Sequence, residues 1–275
     1  RGFDKALFAH VRSATSNILR AFWHNLTQGV VASTPEAGAI SGMYRGLHVA
    51  AVTFAAVADL VMGTLGGEMK RRESLSARLG DVLSELYIMS CVLKRFENDG
   101  APASDLPLVE WNYRNALYTT QTRLDEVLKN LPARPVAWLL RLAAFPLGRH
   151  RRPPSDKLDH RVASLILSPS ETRERLTKGI YITHSPADAT GRMEVAFAAA
   201  VERDRIEEKI RQQRPGKKAL QDLPALVREN VITQGEADSL MTSNAIVREA
   251  IDVDDFAPSE LTRLQSAPIH SAAAE

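Results

Sequence analysis

Leu75, Leu79, Val82, Leu86, Met89, Leu93 and Phe96 follow one another at alternating steps of four and three. That spacing holds one apolar stripe on one side of a helix, and such a seam needs other helices to cover it. Leu83, Ile88 and Val92 widen the stripe and predict more than one neighbour. The same period runs through the preceding residues. Phe3, Leu7, Val11, Ala14, Ile18, Phe22 and Leu26 predict a first helix with one apolar face, ended by Gly29 and the stretch STPEAG from Ser33 to Gly38. A second helix is predicted over Ser41 to Leu65. A fourth starts near Leu106, after the turn NDGAPAS, with Val109, Tyr113, Leu117, Leu124, Leu128 and Leu131 facing inward. Alternation at period two is nearly absent. The fold class is therefore all-α: an antiparallel helical bundle, followed by a smaller and less regular helical region.

The change of character falls at Pro132 to Pro135. The expected organisation is a bundle over 1–131, an accessory helical region over 132–265 and a disordered tail over 266–275. In the second part, Ser168, Pro169 and Glu171 read as a capping box, as do Thr233 and Glu236. Between them the pattern predicts helices over Arg192 to Gln212 and Lys217 to Glu229. Five acids and no basic residue occur from Glu249 to Glu260.

Composition excludes several classes. With 44% hydrophobic residues and a net charge of +2, the 275-residue chain is not disordered overall. The charge balance is too even to indicate a nucleic-acid partner. Cys91 is alone, so no intrachain disulfide forms, and its place beside the seam predicts an inert buried thiol. The chain opens at Arg1 without a signal-peptide pattern, and a fragment or processed chain is expected. From Leu47 to Leu65 only His48 and Asp59 are strongly polar. A run of about 19 such residues nears membrane-spanning length. The carboxylate of Asp59 and the alanines around it favour a buried bundle helix instead.

Catalytic patterns are scarce. Gly63, Gly66 and Gly67 have the wrong spacing for a phosphate loop, and no strand precedes them. Ser41 in GAISG does not sit in a nucleophile elbow. Asp156, Asp159 and His160 share one helix face and are the best local metal or acid–base cluster. Acids in a helix's first turn are explained as well by the helix dipole, with Ser155 as cap. The stretch from Pro135 to Gly148 is apolar nearly all round, with Arg141 as its only charge. The basic run Arg149, His150, Arg151 and Arg152 follows it. An apolar segment flanked by cations is a candidate membrane or anionic-ligand contact. An ordinary core helix with a solvated loop has the same pattern. Docking of Asp252, Asp254 and Asp255 on the basic run is a further alternative.

Several strings are more specific than these patterns. They are FWHNLTQG (Phe22 to Gly29), GGEMKRRESLSARLGDVLSELY (Gly66 to Tyr87) and VLKRFENDG (Val92 to Gly100). After them come DLPLVEWNYRNALY (Asp105 to Tyr118), FPLGRH (Phe145 to His150), PPSDKLDHRVASL (Pro153 to Leu165) and IDVDDF (Ile251 to Phe256). In number and order they resemble the C-terminal portion of the large, long-chain bacterial fatty acyl-CoA dehydrogenases of the FadE type. The resemblance is weakest over about Arg203 to Lys218 and in the last dozen residues.

The resemblance implies an FAD-dependent enzyme that introduces a trans double bond between C2 and C3 of a fatty acyl-CoA, the first oxidation of fatty acid β-oxidation. A glutamate removes the α-proton, hydride passes from the β-carbon to the flavin, and electrons go on to an electron-transfer flavoprotein. It further implies a cytoplasmic location, at the inner face of the cell membrane if the basic run touches lipid, and admits a homo-oligomer. The family's glutamate and its flavin-contacting β domain have no counterpart here. Glu85, Glu97 and Glu110 stand in seam, turn and exposed contexts. The chain alone is thus expected to be inactive, with no catalytic, cofactor or metal residue of its own; the alternative reading is a non-enzymatic helical scaffold or membrane-association module.

Overall fold

The structure is a computed structural model, and it describes residues 2–35, 37–185, 187–214, 223–252 and 259. All its regular elements among those residues are helical. Two compact units divide the chain, Arg1–Leu176 and Thr177–Glu275. The Pro132 to Pro135 stretch lies inside the first of them.

The first unit opens with α1 (Gly2–Leu26), α2 (Ser41–Leu65), α3 (Glu73–Asn98) and α4 (Leu106–Asn130). The seven seam residues of α3 are all buried, against α4 and α2. Burial of such side chains is worth about 1.5–3 kcal/mol each relative to exposure. The seam is thus consumed within the unit and leaves no coiled-coil stripe for another copy. Leu83 and Ile88 do not find the second neighbour that their spacing suggests; they are exposed, as is Tyr87. Each flanks the seam by one residue, about 100° around the helix, and turns past the contact.

α2 packs against α1, α3, α4 and α5. By length and composition it could cross a membrane. In this unit Val49, Ala56, Val57 and Val61 are buried among its neighbours. Asp59 accepts a hydrogen bond of 2.5 Å from the side-chain amide of Asn17 on α1.

The expected stripe of α1 is only partly covered. Val11 and Leu26 are exposed, Ala14, Ile18 and Phe22 are half-buried, and Ala21 is the buried contact. Phe3 and Leu7 have no described side-chain environment. α1 packs against α2 and α5, which meet it along Asn17, Ala21 and Asn25 rather than along the most apolar line.

α5 (Arg134–Ala144) is one-sided. Ala137, Leu140, Ala143 and Ala144 face the bundle, while Trp138, Leu139 and Leu142 are exposed. α6 (Asp156–Ile166) rests on α4. α7 (Glu171–Thr177) is fixed by Arg175, which donates two bonds to Asp105 at 2.9 and 2.7 Å. The capping box expected at Ser168 does not form. Ser168 donates to the Ser164 carbonyl, and Ser170 accepts from the Arg173 amide. The start of α7 lies two residues later than Pro169 suggests.

The second unit pairs α8 (Ala189–Gln213) with α10 (Gln234–Ile251), with α9 (Leu223–Arg228) between them. Ile206, Ile210, Leu226, Val231, Ile232, Ala237 and Leu240 form its core. The capping box at Thr233 and Glu236 is present in both directions. Residues 217–222 of the expected Lys217 to Glu229 helix, and the tail over 266–275, lie outside the described residues.

Candidate functional site

The basic run is best understood from α4, whose buried residues include the polar Thr120, Gln121 and Asp125. Asp125 is 2% exposed. It accepts from Arg141 at 2.6 Å, Arg149 at 2.9 Å and Lys129 at 2.8 Å. Burial alone would raise its pKa. Hydrogen bonds from Lys129 and Arg141, with the charges of Arg141 and Arg149, hold it below the ordinary carboxylate range instead. One carboxylate thereby ties α4 to α5 and to the loop after α5.

Gln121, one turn earlier, grips the next part of that loop. Its side-chain oxygen accepts from the Arg151 amide at 3.0 Å, and its nitrogen donates to the Arg151 carbonyl at 3.2 Å. His150 contacts the Gln28 side chain through Nε2 at 3.1 Å and the Gly148 carbonyl through Nδ1 at 3.3 Å. The four sequence-predicted residues therefore separate. Arg149 is bound to Asp125, and His150 is held against the turn after α1. The guanidinium groups of Arg151 and Arg152 have no carboxylate partner among the described residues. Asp252 pairs with Arg248 within its own helix end, and Asp254 and Asp255 lie outside the described residues.

Arg151 and Arg152 line an open groove of about 380 Å³ together with Met43, Tyr113, Leu117, Glu110 and Arg114. Glu110 is engaged by Arg114 through Nε at 3.0 Å and Nη2 at 2.6 Å. Tyr113 stands against Gly46; a Cβ there would overlap its hydroxyl and come within 2.8 Å of its ring. Behind the groove, bounded by the shared Leu117, His150 and Arg151, is a recess of about 40 Å³. Asn25, Thr53, Thr120 and Gln121 give it a polar lining. Thr120 is 3% exposed, and its hydroxyl has no hydrogen-bond partner.

Sequence reasoning missed Gln121 and Asp125. The signal was a gap: the inward positions of α4 step from Leu117 directly to Leu124, and Gln121 occupies the skipped position. The other sequence candidates go elsewhere. Asp159 accepts a 2.6 Å bond from the Trp111 indole, and no group of three or more His, Cys, Asp or Glu suited to a metal occurs among the described residues. Ser155 stands at the N-cap of α6 without a side-chain capping bond. Cys91 is exposed, not buried. It lies two residues past Met89, about 200° around the helix from the seam.

The three glutamates differ. Glu97 pairs with Lys94 and Glu110 with Arg114. Glu85 is half-buried on α3; burial and the neighbouring Asp81 raise its pKa. Asp81 itself pairs with Arg123. Another polar cluster joins α1 to α2, where the rings of His24 and His48 meet edge to face at 4.7 Å. Burial, then His24 and Arg20, lower the pKa of His48.

A helical bundle over the first unit and a further helical unit after it define an all-helical chain among the described residues. The comparisons place it. Residues 1–256 match the family described as Acyl-CoA dehydrogenase, C-terminal, bacterial type, and the chain belongs to that family. No solved structure matches it.

Proposed function

We propose that the chain is the C-terminal helical part of an FAD-dependent acyl-CoA dehydrogenase, cytoplasmic, acting in fatty acid β-oxidation with an electron-transfer flavoprotein as acceptor. The observation that carries this is the family match across residues 1–256 of an all-helical chain. The α,β-dehydrogenation it serves needs a base within reach of the α-proton. Glu97 and Glu110 are occupied by cations, and Glu85 is half-buried on α3 beside Asp81. None of the three borders the recess or stands free in the groove. The base is accordingly assigned to residues outside this chain.

Neither the recess nor the groove beside it fits a flavin. A flavin dinucleotide needs a flat slot for three fused rings and donors along its diphosphate. The recess has room for about one water, and the groove beside it is open. No step through FAD is derived on this chain. The exposed apolar residues of α1, Phe8, Val11, Leu19 and Trp23, are the kind of surface that the remaining part of such an enzyme covers. The isolated 275-residue chain is expected to purify without flavin absorbance and to leave an acyl-CoA unoxidised in the presence of an artificial electron acceptor. Turnover by the chain alone would overturn the assignment.

A second reading, peripheral membrane contact, is favoured by the outer face of α5. Trp138 is 67% exposed and Leu142 59%, with Leu139 and Leu147 beside them. Arg134, exposed in the first turn of α5, adds a cation on the same helix. Aromatic and leucine side chains next to cations suit the headgroup boundary. Co-sedimentation with anionic vesicles is expected to fall several-fold in Trp138→Ser/Leu142→Ser. Unchanged sedimentation would dismiss this contact.

A further inference from the structure

We infer that the groove between the start of α2, α4 and the 149–152 loop binds an organic phosphate, with Arg151 and Arg152 as its anion-holding groups. The two basic residues before them in the run are already committed, Arg149 to Asp125 and His150 to Gln28. Within the groove, Glu110 and Arg114 neutralise each other. The uncompensated charge in the groove lining is therefore the two guanidinium groups of Arg151 and Arg152. Guanidinium forks match phosphate oxygens in planar, paired hydrogen bonds.

The loop that carries them is preorganised. Gln121 holds the Arg151 backbone on both its amide and its carbonyl, and Asp125 anchors the residue two positions earlier. A ligand would thus not have to order this backbone, a cost that weakens binding at loose loops. Met43, Tyr113 and Leu117 add apolar side chains to the same lining. Tyr113 is seated against Gly46. The groove volume, about 380 Å³, lies within the range of small-ligand sites. Bare phosphate would leave these apolar side chains unused, so the ligand carries a ring or apolar body as well as the anion.

The recess adds an independent sign. Buried hydroxyls are nearly always hydrogen-bonded, because an unpaired one costs its full desolvation. The Thr120 hydroxyl is buried and unpaired in a recess that also holds Asn25, Thr53 and Gln121 and shares Arg151 and His150 with the groove. A water, or a polar substituent of the ligand reaching past Arg151, would satisfy it.

This chemistry has two sources, a soluble phosphate ester or a lipid headgroup. The test uses the whole 275-residue chain. Calorimetric titration with adenosine 3′,5′-bisphosphate represents the first source. Co-sedimentation with phosphatidylglycerol vesicles, against phosphatidylcholine, represents the second. Arg151→Gln/Arg152→Gln is expected to weaken binding in at least one arm by about tenfold or more, from the loss of charge-assisted bonds. Its melting temperature should match the parent, because neither guanidinium has a described ion-pair partner. Lys157→Gln/Arg161→Gln on the exposed side of α6 removes the same charge away from the groove and should leave affinity nearly unchanged. Loss confined to the bisphosphate arm identifies a soluble ester, and loss confined to vesicles identifies a headgroup. The inference is overturned if the parent binds neither probe, or if the α6 pair weakens binding as much as the groove pair. It stands or falls separately from the α5 contact, since Trp138→Ser/Leu142→Ser should not alter the bisphosphate titration.

Discussion

Replacing Asp125 with alanine is expected to destabilise the first unit by about 2–3 kcal/mol, read as a lower urea midpoint and melting temperature. The carboxylate is 2% exposed and bridges three cations. Removing one partner of a fully buried pair costs about 3–5 kcal/mol, because a charge is left without compensation. Here the cations are 43–59% exposed and can turn toward water, which lowers the figure. The tie between α4, α5 and the 149–152 loop is lost whatever the cations do. An unchanged midpoint would show that the apolar contacts of Leu140, Ala143 and Ala144 hold α5 without it.

The same residue predicts a pH dependence. Its pKa in the folded chain lies below the unfolded value. Its stabilisation is therefore complete above the unfolded carboxylate pKa of about 4 and is lost as pH falls through the folded pKa. Asp125→Asn should flatten the acid limb of the stability profile while keeping the side-chain volume. Some slope should persist, because Asp105 is also held low, chiefly by its hydrogen bonds from Arg175. An acid limb with the parent's full slope in the asparagine variant would remove Asp125 from the account.

The seam of α3 was legible because local spacing and burial coincide: all seven residues at the three-and-four steps are in the core. The Thr233 cap was legible for the same reason, since its partner is three residues away. Periodicity names an apolar face without saying whether anything covers it. That is why Val11 and Leu26 on α1, with Leu83 and Ile88 on α3, read as core and are exposed. The candidate site was legible only as a basic run. What sorts its members, Gln121 thirty residues before Arg151 and Asp125 before Arg149, is long-range polar pairing. Polar residues on an apolar stripe look like interruptions of the pattern until the fold shows what they hold.

Gly29 supplies the other large expected effect. It follows α1 with φ +70°, and its amide donates to the His24 carbonyl at 2.8 Å, closing the helix end. A β-carbon there would lie 2.6 Å from Val49 Cγ2 and 2.8 Å from Arg45 Cγ. Arg45 has a long side chain that can yield. Val49 is 4% exposed, branched and wedged in the bundle, so it cannot. Left-handed backbone costs a residue with a β-carbon about 1–2 kcal/mol, and overpacking adds about 1–3 kcal/mol. Gly29→Ala should therefore lose about 2–5 kcal/mol in urea unfolding. Gly38 provides the control, with φ +53° and nothing within 4 Å of the place a β-carbon would take. Gly38→Ala should show the backbone cost alone. The difference between the two variants measures the contact with Val49, and equal losses would mean that the turn after α1 relaxes away from α2. Such relaxation would also carry off Gln28 and its contact with His150, loosening the rim of the groove from the α1 side.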